Sequence, residues 1–349
     1  MRIDHENPAV RVRRAPRGLP AVDDFEVADV GVVPPRDGEV LFRGLYLAID
    51  PSARRRLPAP AHAPDHGPLG DRASVGDVVV AGVSPATCGL DGAVVGEVVE
   101  SRDPGFAVGD LVRGGNAWQM FHTVPGRLLD LLEPGTSLSS ELGILGRPGL
   151  VGHVGMRLIG RVRAGETVVV SAAGGGVGTV AGQIARLAGA RVVGIASGEK
   201  AIHVVSDLGY DACVDRATEE VGAALDRLCP DGVDVYFDNV GGAVSRAVFD
   251  RMRSFGRVVV CGMAAEYNAP EDDTGPPWRP VLRKRLRIEG FVVQDHYADY
   301  PDYRRWMVEQ LDAGLVRHRE DLLIGIEHAP TALANVLSGR SRGRQLVQL

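Results

Sequence analysis

The stretch that most restricts how this chain can fold is SAAGGGVGTVAG at 171–182, entered from Thr167 and three consecutive valines, Val168 to Val170. A short apolar, β-branched run reads as a strand buried on both faces, and helix-length sequence follows the glycines. Strand, glycine turn and helix in that order gather unpaired amide groups and the positive end of the helix dipole at one spot. Ala173, Gly175 and Gly178 fit the dinucleotide-binding fingerprint, with Ala in the first glycine position. In that pattern Gly175 lets the backbone approach a pyrophosphate, and Gly178 lets the helix pack tightly against its strand. Glycine-rich turns also serve purely as turns. Here a second strand, Arg191 to Ala196, follows where a βαβ unit needs it, so Gly175, Gly176, Val177 and Gly178 become candidate phosphate contacts.

The rest of the chain divides into two textures. At 349 residues it exceeds the size at which single cores stop growing, so two domains are expected. Up to about residue 140, short apolar runs such as Val40 to Phe42, Asp77 to Val80 and Ala93 to Val99 alternate with Gly, Pro and Asp clusters, which suggests antiparallel strands in a barrel or sandwich. Pro58 to Gly70 lacks periodicity and reads as a loop. From about residue 141 strands alternate with helical segments, the signature of a parallel sheet. The expected strands are Thr167–Ala172, Arg191–Ala196, Ala212–Val214, Val233–Asp238, Arg257–Gly262 and Arg287–Val293. Helices are expected at Val177–Ala188, Lys200–Leu208, Glu219–Leu228 and Ala243–Met252. Six strands with helices on both faces make an α/β doubly wound, Rossmann-type domain.

The end of the second expected strand helps choose the nucleotide. An NAD site places Asp or Glu there for the ribose 2′-hydroxyl, whereas a 2′-phosphate needs positive charge and no acid. This strand ends Ile195, Ala196, Ser197, Gly198, and Lys200 follows; Arg216 ends the third strand region. Lys200 and Arg216 are either ordinary surface residues or phosphate ligands, Arg offering a bidentate fork. Glu199 counts against a phosphate if it points inward. NADP(H) is favoured over NAD, with Ser197 at the strand tip beside it.

Composition excludes several classes. The formal charge of −6 gives no general attraction to nucleic acid or an anionic membrane, although Arg11, Arg13, Arg14 and Arg17 make a local basic patch. No signal-peptide core and no apolar stretch long enough to span a bilayer is present, so a cytoplasmic location is expected. Cys88, Cys213, Cys229 and Cys261 form no CxxC pair, and the nine histidines show no metal-ligand spacing. No metal site is expected.

At this point the residues carry a family resemblance that runs nearly end to end. LFRGLYLAIDPSARRRL (41–57), NAWQMF (116–121), LGILGRPGLVGHVG (142–155), AGETVVVSAAGGGVG (164–178), VYFDNVGG (235–242), GRVVVCGMAAEYN (256–268) and EGFVV (289–293) occur in order. The chain resembles the zinc-independent branch of the medium-chain dehydrogenase/reductase superfamily, in particular leukotriene B/prostaglandin, curcumin and plant double-bond reductases. The resemblance implies a GroES-like β-barrel catalytic domain at 1–140 completed by 311–349, a Rossmann domain at 141–310, and an assembly that is often a homodimer. It also implies NADPH-dependent reduction of a C=C bond conjugated to a carbonyl.

Carried over position by position, the family's pattern sets Gly175 to Gly178 on the pyrophosphate and Lys200 on the 2′-phosphate. Arg216 stands where the family usually has Tyr. Asn239, Cys261, Gly262 and the run Phe291, Val292, Val293 resemble the segments that hold the nicotinamide half, and Ser341 replaces an Asn near the C-terminus. Tyr267 matches a Tyr that lies over the nicotinamide. Its hydroxyl either supports the enolate oxygen and the proton transfer or merely packs on the coenzyme. Where zinc alcohol dehydrogenases of the superfamily carry a catalytic Cys, this chain has Ala48, Ile49, Asp50, Pro51. That favours conjugate hydride addition over alcohol oxidation.

On the substrate side Ser52 replaces a pocket-lining Tyr of the family, and Trp118 and His153 are wall candidates for which plain packing serves equally well. The aromatic, acidic segment Gln294 to Tyr303 is expected as a loop that caps the site or joins a dimer. The partner is a small molecule, neither nucleic acid nor membrane. The readings left open are an ene-reductase, a reductase of quinones or of another electrophilic bond such as C=N, and a nucleotide-binding protein without catalysis.

Overall fold

The computed structural model describes residues 6–57, 90, 92–115, 117–133, 135–265 and 277–349. The expected loop Pro58–Gly70, the expected strand Asp77–Val80, Cys88 and Tyr267 lie outside the described residues. The chain divides into two units, the first comprising Met1–Leu142, Glu320–Ser341 and Gln345–Leu349, the second Gly143–Arg319 and Arg342–Arg344.

In the first unit β1 (Pro8–Val12) pairs with β2 (Phe25–Asp29), and a larger sheet is built on β3 (Glu39–Ala48). That sheet holds β4 (Val94–Ser101), β5 (Leu111–Gly114), β6 (Phe121–Pro125), β7 (Asp130–Leu131), β14 (Glu320–Ile324) and β15 (Arg344–Gln348). Its order is β14-β15-β3-β4-β5-β7, with β6 also on β3. The pairings of β3 with β4, β6 and β15 are antiparallel, and two register shifts bend β3 against β4. Val40, Phe42, Leu47, Val94, Val98 and Val112 fill the core with Trp118 and helix α8 (Ala329–Leu337).

The second unit is a parallel sheet of β8 (Thr167–Ser171), β9 (Arg191–Ala196), β10 (Ala212–Asp215), β11 (Val233–Asp238), β12 (Met252–Val260) and β13 (Arg287–Gly290). Its order is β10-β9-β8-β11-β12-β13, the doubly wound order whose switch point falls between β8 and β11. The unbroken valines now have a reason. Val168 and Val170 enter one core cluster and Val169 the other, because successive side chains leave a strand on opposite faces and both faces are covered. Helices α2 (Gly178–Leu187), α3 (Glu199–Ser206), α4 (Val221–Leu228) and α5 (Gly242–Phe249) connect the strands.

Four differences from the sequence reading have local causes. Strand β13 stops at Gly290 rather than Val293, since its last partner is Val260 at the end of β12, and Val293 opens a 3-10 turn running to Asp299. Gln294–Tyr303 is helical rather than a loop, continuing into α7 (Tyr300–Asp312), whose Tyr300 and Tyr303 hydroxyls donate to the carbonyls of Leu145 and Ile144. The second unit runs past 310 to Arg319 because Met307 and Val316 are buried in its core. Helices α1 (Arg147–His153), α6 (Trp278–Lys284), α7 and α8 were not anticipated; α1 runs on into a π-helical turn at Val154–Ile159.

Candidate functional site

The C-terminal tips of β8, β9, β11 and β12 carry most of the candidate residues. After Ser171 the chain turns sharply: Ala172 is exposed and adopts a left-handed φ of 49°, and the Gly175 amide donates to the Ala172 carbonyl at 2.9 Å. Helix α2 then begins at Gly178. A Cβ there would lie 2.3 Å from the Ala172 oxygen and 2.8 Å from the Ala173 Cα, so only glycine lets the helix sit this close to its strand. Its carbonyl accepts a hydrogen bond from the buried Tyr210 hydroxyl, which fixes the same residue from the far side. Gly175 is different. A Cβ on it would meet only the Ala172 oxygen, at 3.2 Å, and would otherwise stand in open space. Internal packing therefore does not demand the full run of glycines, whereas close approach of a ligand to the backbone does. The Thr179 amide already donates to the Gly175 carbonyl at 2.9 Å, so it is the amides of Gly176 to Gly178, at the positive end of the α2 dipole, that would meet phosphate oxygens.

Left-handed alanine is strained by about 1 to 2 kcal/mol, more than the entropy that glycine loses there. Ala172→Gly is expected to raise the melting temperature by a few degrees. A calorimetric scan checks this, and a lowered melting temperature would contradict it.

At the next strand tip, Ser197 is half-buried and Gly198 takes φ 57° and ψ −133°, a conformation that side chains avoid. Gly198 and Ala217 amides both donate to Asp215 Oδ1, at 2.8 and 3.0 Å, and the Arg216 amide donates to the Ala196 carbonyl. These two amides hold the Asp215 carboxyl below its ordinary range and so stabilise its negative charge. The structure thus stitches β9 to β10 and brings Lys200 and Arg216 onto adjacent tips, with Arg216 exposed and Lys200 half-buried. A Cβ on Gly174 would meet the Lys200 side-chain carbons at 3.0 to 3.3 Å, so the lysine stem lies along the glycine turn.

At the switch point a buried carboxylate organises the nicotinamide-side candidates. Asp238 Oδ1 accepts from the Tyr236 hydroxyl at 2.8 Å and from the Val240 and Gly241 amides at 2.9 Å each, while Oδ2 accepts from Ser245. Ser171 Oγ accepts from the Asn239 amide at 2.8 Å, and Asn239 Nδ2 donates to the Ser171 carbonyl at 2.7 Å. Cys261 and Gly262 amides both donate to the Asp238 carbonyl. Asn239, Cys261 and Gly262 are thereby locked beside the end of β8. Burial, and after it the Asp238 charge, push the Cys261 thiol up to about 12, so it is protonated and unreactive as a nucleophile. Phe291 is half-buried, Val292 exposed and Val293 buried, at the mouth of the turn that follows β13.

The C-terminal segment contributes more than sequence reasoning assigned to it. Ser341 is buried, its amide donating to the Asn335 carbonyl. The next residues matter more to the glycine turn: Gly343 bridges Gly175 in parallel and its amide donates to the Gly174 carbonyl at 2.9 Å. A Cβ on Gly176 would meet Arg344 Cδ at 3.2 Å, and Arg342 is ion-paired to Glu199. The repeated GR in GRSRGR was the available signal, a flexible residue beside a cation.

Other candidates fall elsewhere. Ser52 is half-buried on the 3-10 turn Pro51–Arg56 of the first unit. Trp118 is completely buried in that unit's core, 6.4 Å from the Phe25 ring, so packing accounts for it rather than a pocket wall. His153 lies against α7, 5.1 Å from the Tyr303 ring and 5.5 Å from Trp306. Burial, and after it the Arg157 charge, push its imidazole down to about 4 and keep it neutral. Among the described residues no group of three or more His, Cys, Asp or Glu side chains could hold a metal ion.

Comparison with known proteins identifies the architecture. Residues 176–309 match a family model described as zinc-binding dehydrogenase, and 9–131 one described as the N-terminal domain of oxidoreductase. The described residues offer no ligand set for the ion in the first description. The chain is 35% identical over 342 residues to an NADPH-dependent curcumin reductase of Escherichia coli, covering 96% of this chain and 94% of the relative. It is 36% identical to a 2-alkenal reductase (NADP(+)-dependent) of Nicotiana tabacum, covering 98% and 97%. The crystal structure of CurA from Vibrio vulnificus in complex with NADPH superposes with a TM-score of 0.85 at 32% identity over 98% of both chains. The chain belongs to the medium-chain dehydrogenase/reductase family, in its branch of NADP-dependent double-bond reductases.

Proposed function

We propose that this protein catalyses NADPH-dependent reduction of the C=C bond of an α,β-unsaturated carbonyl compound or a similarly activated alkene, with hydride delivered to the β-carbon. The observation that carries this reading is the likeness, over almost the whole chain, to reductases named for curcumin and for 2-alkenals, compounds whose alkene is conjugated to a carbonyl. When bound, the reduced coenzyme supplies the hydride.

The chain's own residues supply the rest. Amides at Gly176 to Gly178 and the α2 dipole hold the pyrophosphate, and Gly175 clears its approach. Lys200 and Arg216 receive the 2′-phosphate next to Ser197, where Asp215 is already engaged by backbone donors. Asn239, Cys261, Gly262, Phe291, Val292 and Val293 complete the coenzyme contacts within the second unit. As the β-carbon is reduced, negative charge develops on the carbonyl oxygen. Tyr267 donates a hydrogen bond to that oxygen, and the α-carbon takes its proton from this hydroxyl or from water. The first unit acts as the GroES-like catalytic domain, and Ser52 is its substrate-pocket residue. This chemistry proceeds without zinc. A quinone or C=N acceptor is the second reading, favoured by half-buried Ser52 where the resembling reductases place Tyr.

No helix among the described residues is long and apolar enough to cross a membrane. The working form is a cytoplasmic homodimer. β13 is the sheet's edge, and Phe255 on β12 and Trp278 and Leu282 on α6 stand more than two-thirds exposed, an apolar face suited to a second copy.

The test is NADPH consumption, with product analysis, against an enone, an enal, a quinone and a cyclic imine. Saturated carbonyl product from the enone or enal is expected. Turnover of the quinone or imine alone would replace the first reading with the second, and turnover of none with NADPH binding intact would leave a nucleotide-binding protein. In the same assay Lys200→Ala is expected to raise the KM for NADPH by about tenfold or more while leaving NADH little changed. Equal effects on both coenzymes would remove Lys200 from the phosphate.

A further inference from the structure

Glu199 stands next to Lys200 at the tip of β9 and has the wrong sign for a corner that receives a second phosphate. Its carboxylate is not left facing that corner alone, since Arg342 forms an ion pair with it. The arginine is brought there by its neighbour in the chain: Gly343 bridges Gly175 and donates its amide to Gly174, and the Arg344 amide donates to the Arg319 carbonyl at 3.0 Å. Lys200 lies along the same turn, over Gly174. Glu199, Lys200 and Arg342 therefore share one edge of the glycine turn.

The charges around that edge can be counted. Asp215 keeps its negative charge, solvated by the Gly198 and Ala217 amides, so Lys200, Arg216 and Arg342 stand against Asp215 and Glu199. With Arg342 in place the corner stays positive. Without it, the Glu199 charge offsets one of the two phosphate-binding cations, and a free carboxylate at this strand tip is what an NAD site uses for the ribose 2′-hydroxyl. The Arg342 and Glu199 side chains are 44% and 70% exposed, so their pairing adds little to stability, and what it changes is the local field.

We propose that Arg342 is a coenzyme-specificity residue, which masks Glu199 so that Lys200 and Arg216 can select a 2′-phosphate. The inference rests on the reading of this corner as the NADPH site. Its test is equilibrium binding, by calorimetry, of 2′,5′-ADP and 5′-AMP to the wild type and to Arg342→Ala, Arg342→Gln, Glu199→Gln and the Glu199→Gln/Arg342→Ala double variant. Loss of Arg342 is expected to weaken 2′,5′-ADP about five- to tenfold with 5′-AMP nearly unchanged. Glu199→Gln in the Arg342→Ala background is expected to restore most of that loss, a rescue that a purely structural role for the arginine does not give.

Unchanged 2′,5′-ADP affinity in both arginine variants overturns the proposal, as does failure of Glu199→Gln to rescue. If the wild type itself does not distinguish the two nucleotides, the underlying coenzyme assignment fails instead. The two failures are thus separate results. The ratio of kcat/KM for NADPH to that for NADH should move in parallel with the binding ratio.

Discussion

Gly178→Ala is expected to abolish most coenzyme-dependent activity and to destabilise the second unit by about 3 kcal/mol. The atoms that an added methyl would meet are backbone, the Ala172 oxygen at 2.3 Å and the Ala173 Cα at 2.8 Å, and neither can rotate away. The helix must move. Tyr210, buried and hydrogen-bonded to the Gly178 carbonyl, resists that movement from the other side. Displacing the α2 N-terminus by about 1 Å takes its amides out of register with the pyrophosphate, which costs on the order of 100-fold in kcat/KM for NADPH. Steady-state kinetics and a thermal melt of the same variant measure both effects. A variant with wild-type melting temperature and KM would mean that the strand-to-helix contact is looser than these distances allow. Gly175→Ala makes the contrast, since its methyl meets little protein: stability should change far less than coenzyme affinity.

The second large effect is on acid stability. His122 is fully buried on β6, stacked on Phe42 at 4.8 Å, and its Nε2 donates to the Gln119 carbonyl at 3.1 Å. Burial pushes its imidazole down to about 4 from an ordinary value of 6.5, outweighing the opposite pull of the Gln119 carbonyl. The native state therefore holds the ring neutral, while the unfolded chain takes up a proton as the pH drops below 6.5. Above that pH the two states bind protons equally and stability is flat. Between 6.5 and about 4 stability falls by up to about 3 kcal/mol, then levels off with respect to this residue. Carboxyls held low, such as Asp215, act only below their ordinary values and so extend the loss at still lower pH. Urea unfolding from pH 7 to 4 in the wild type and in His122→Gln measures the slope. An unchanged slope in the variant would assign the acid sensitivity elsewhere.

Much of the second unit was legible in the sequence because its strands are covered on both faces, which writes them as apolar runs. Arg191–Ala196 and Val233–Asp238 begin and end where the sequence places them. The glycines were legible for a related reason, since the tight strand-to-helix contact at Gly178 allows no other residue. What sequence could not show is where polar side chains find partners. Asp238 reads as one more acid at a strand end, yet its carboxylate accepts from Ser171 of β8 and Tyr236 of β11, and its carbonyl accepts from the amides that follow β12. Trp118 and His153 look alike in sequence as isolated polar aromatics, and only burial separates a core indole from a neutral imidazole under α7. The segment 294–303 misled because Asp, His and Pro mark turns by composition. Tyr300 and Tyr303, by contrast, reach carbonyls more than a hundred residues earlier. Likewise the 342–344 tripeptide carries no periodicity, and its contact with Gly174 and Gly175 is invisible without the fold.

That tripeptide also bears on how the loop forms. Strand β8, the glycine turn and α2 are contiguous in the chain and can form as a local unit, whereas the edge that Gly343 adds comes from more than 150 residues further along. Closing that edge needs a long-range loop, so the glycine turn is expected to acquire it late in refolding.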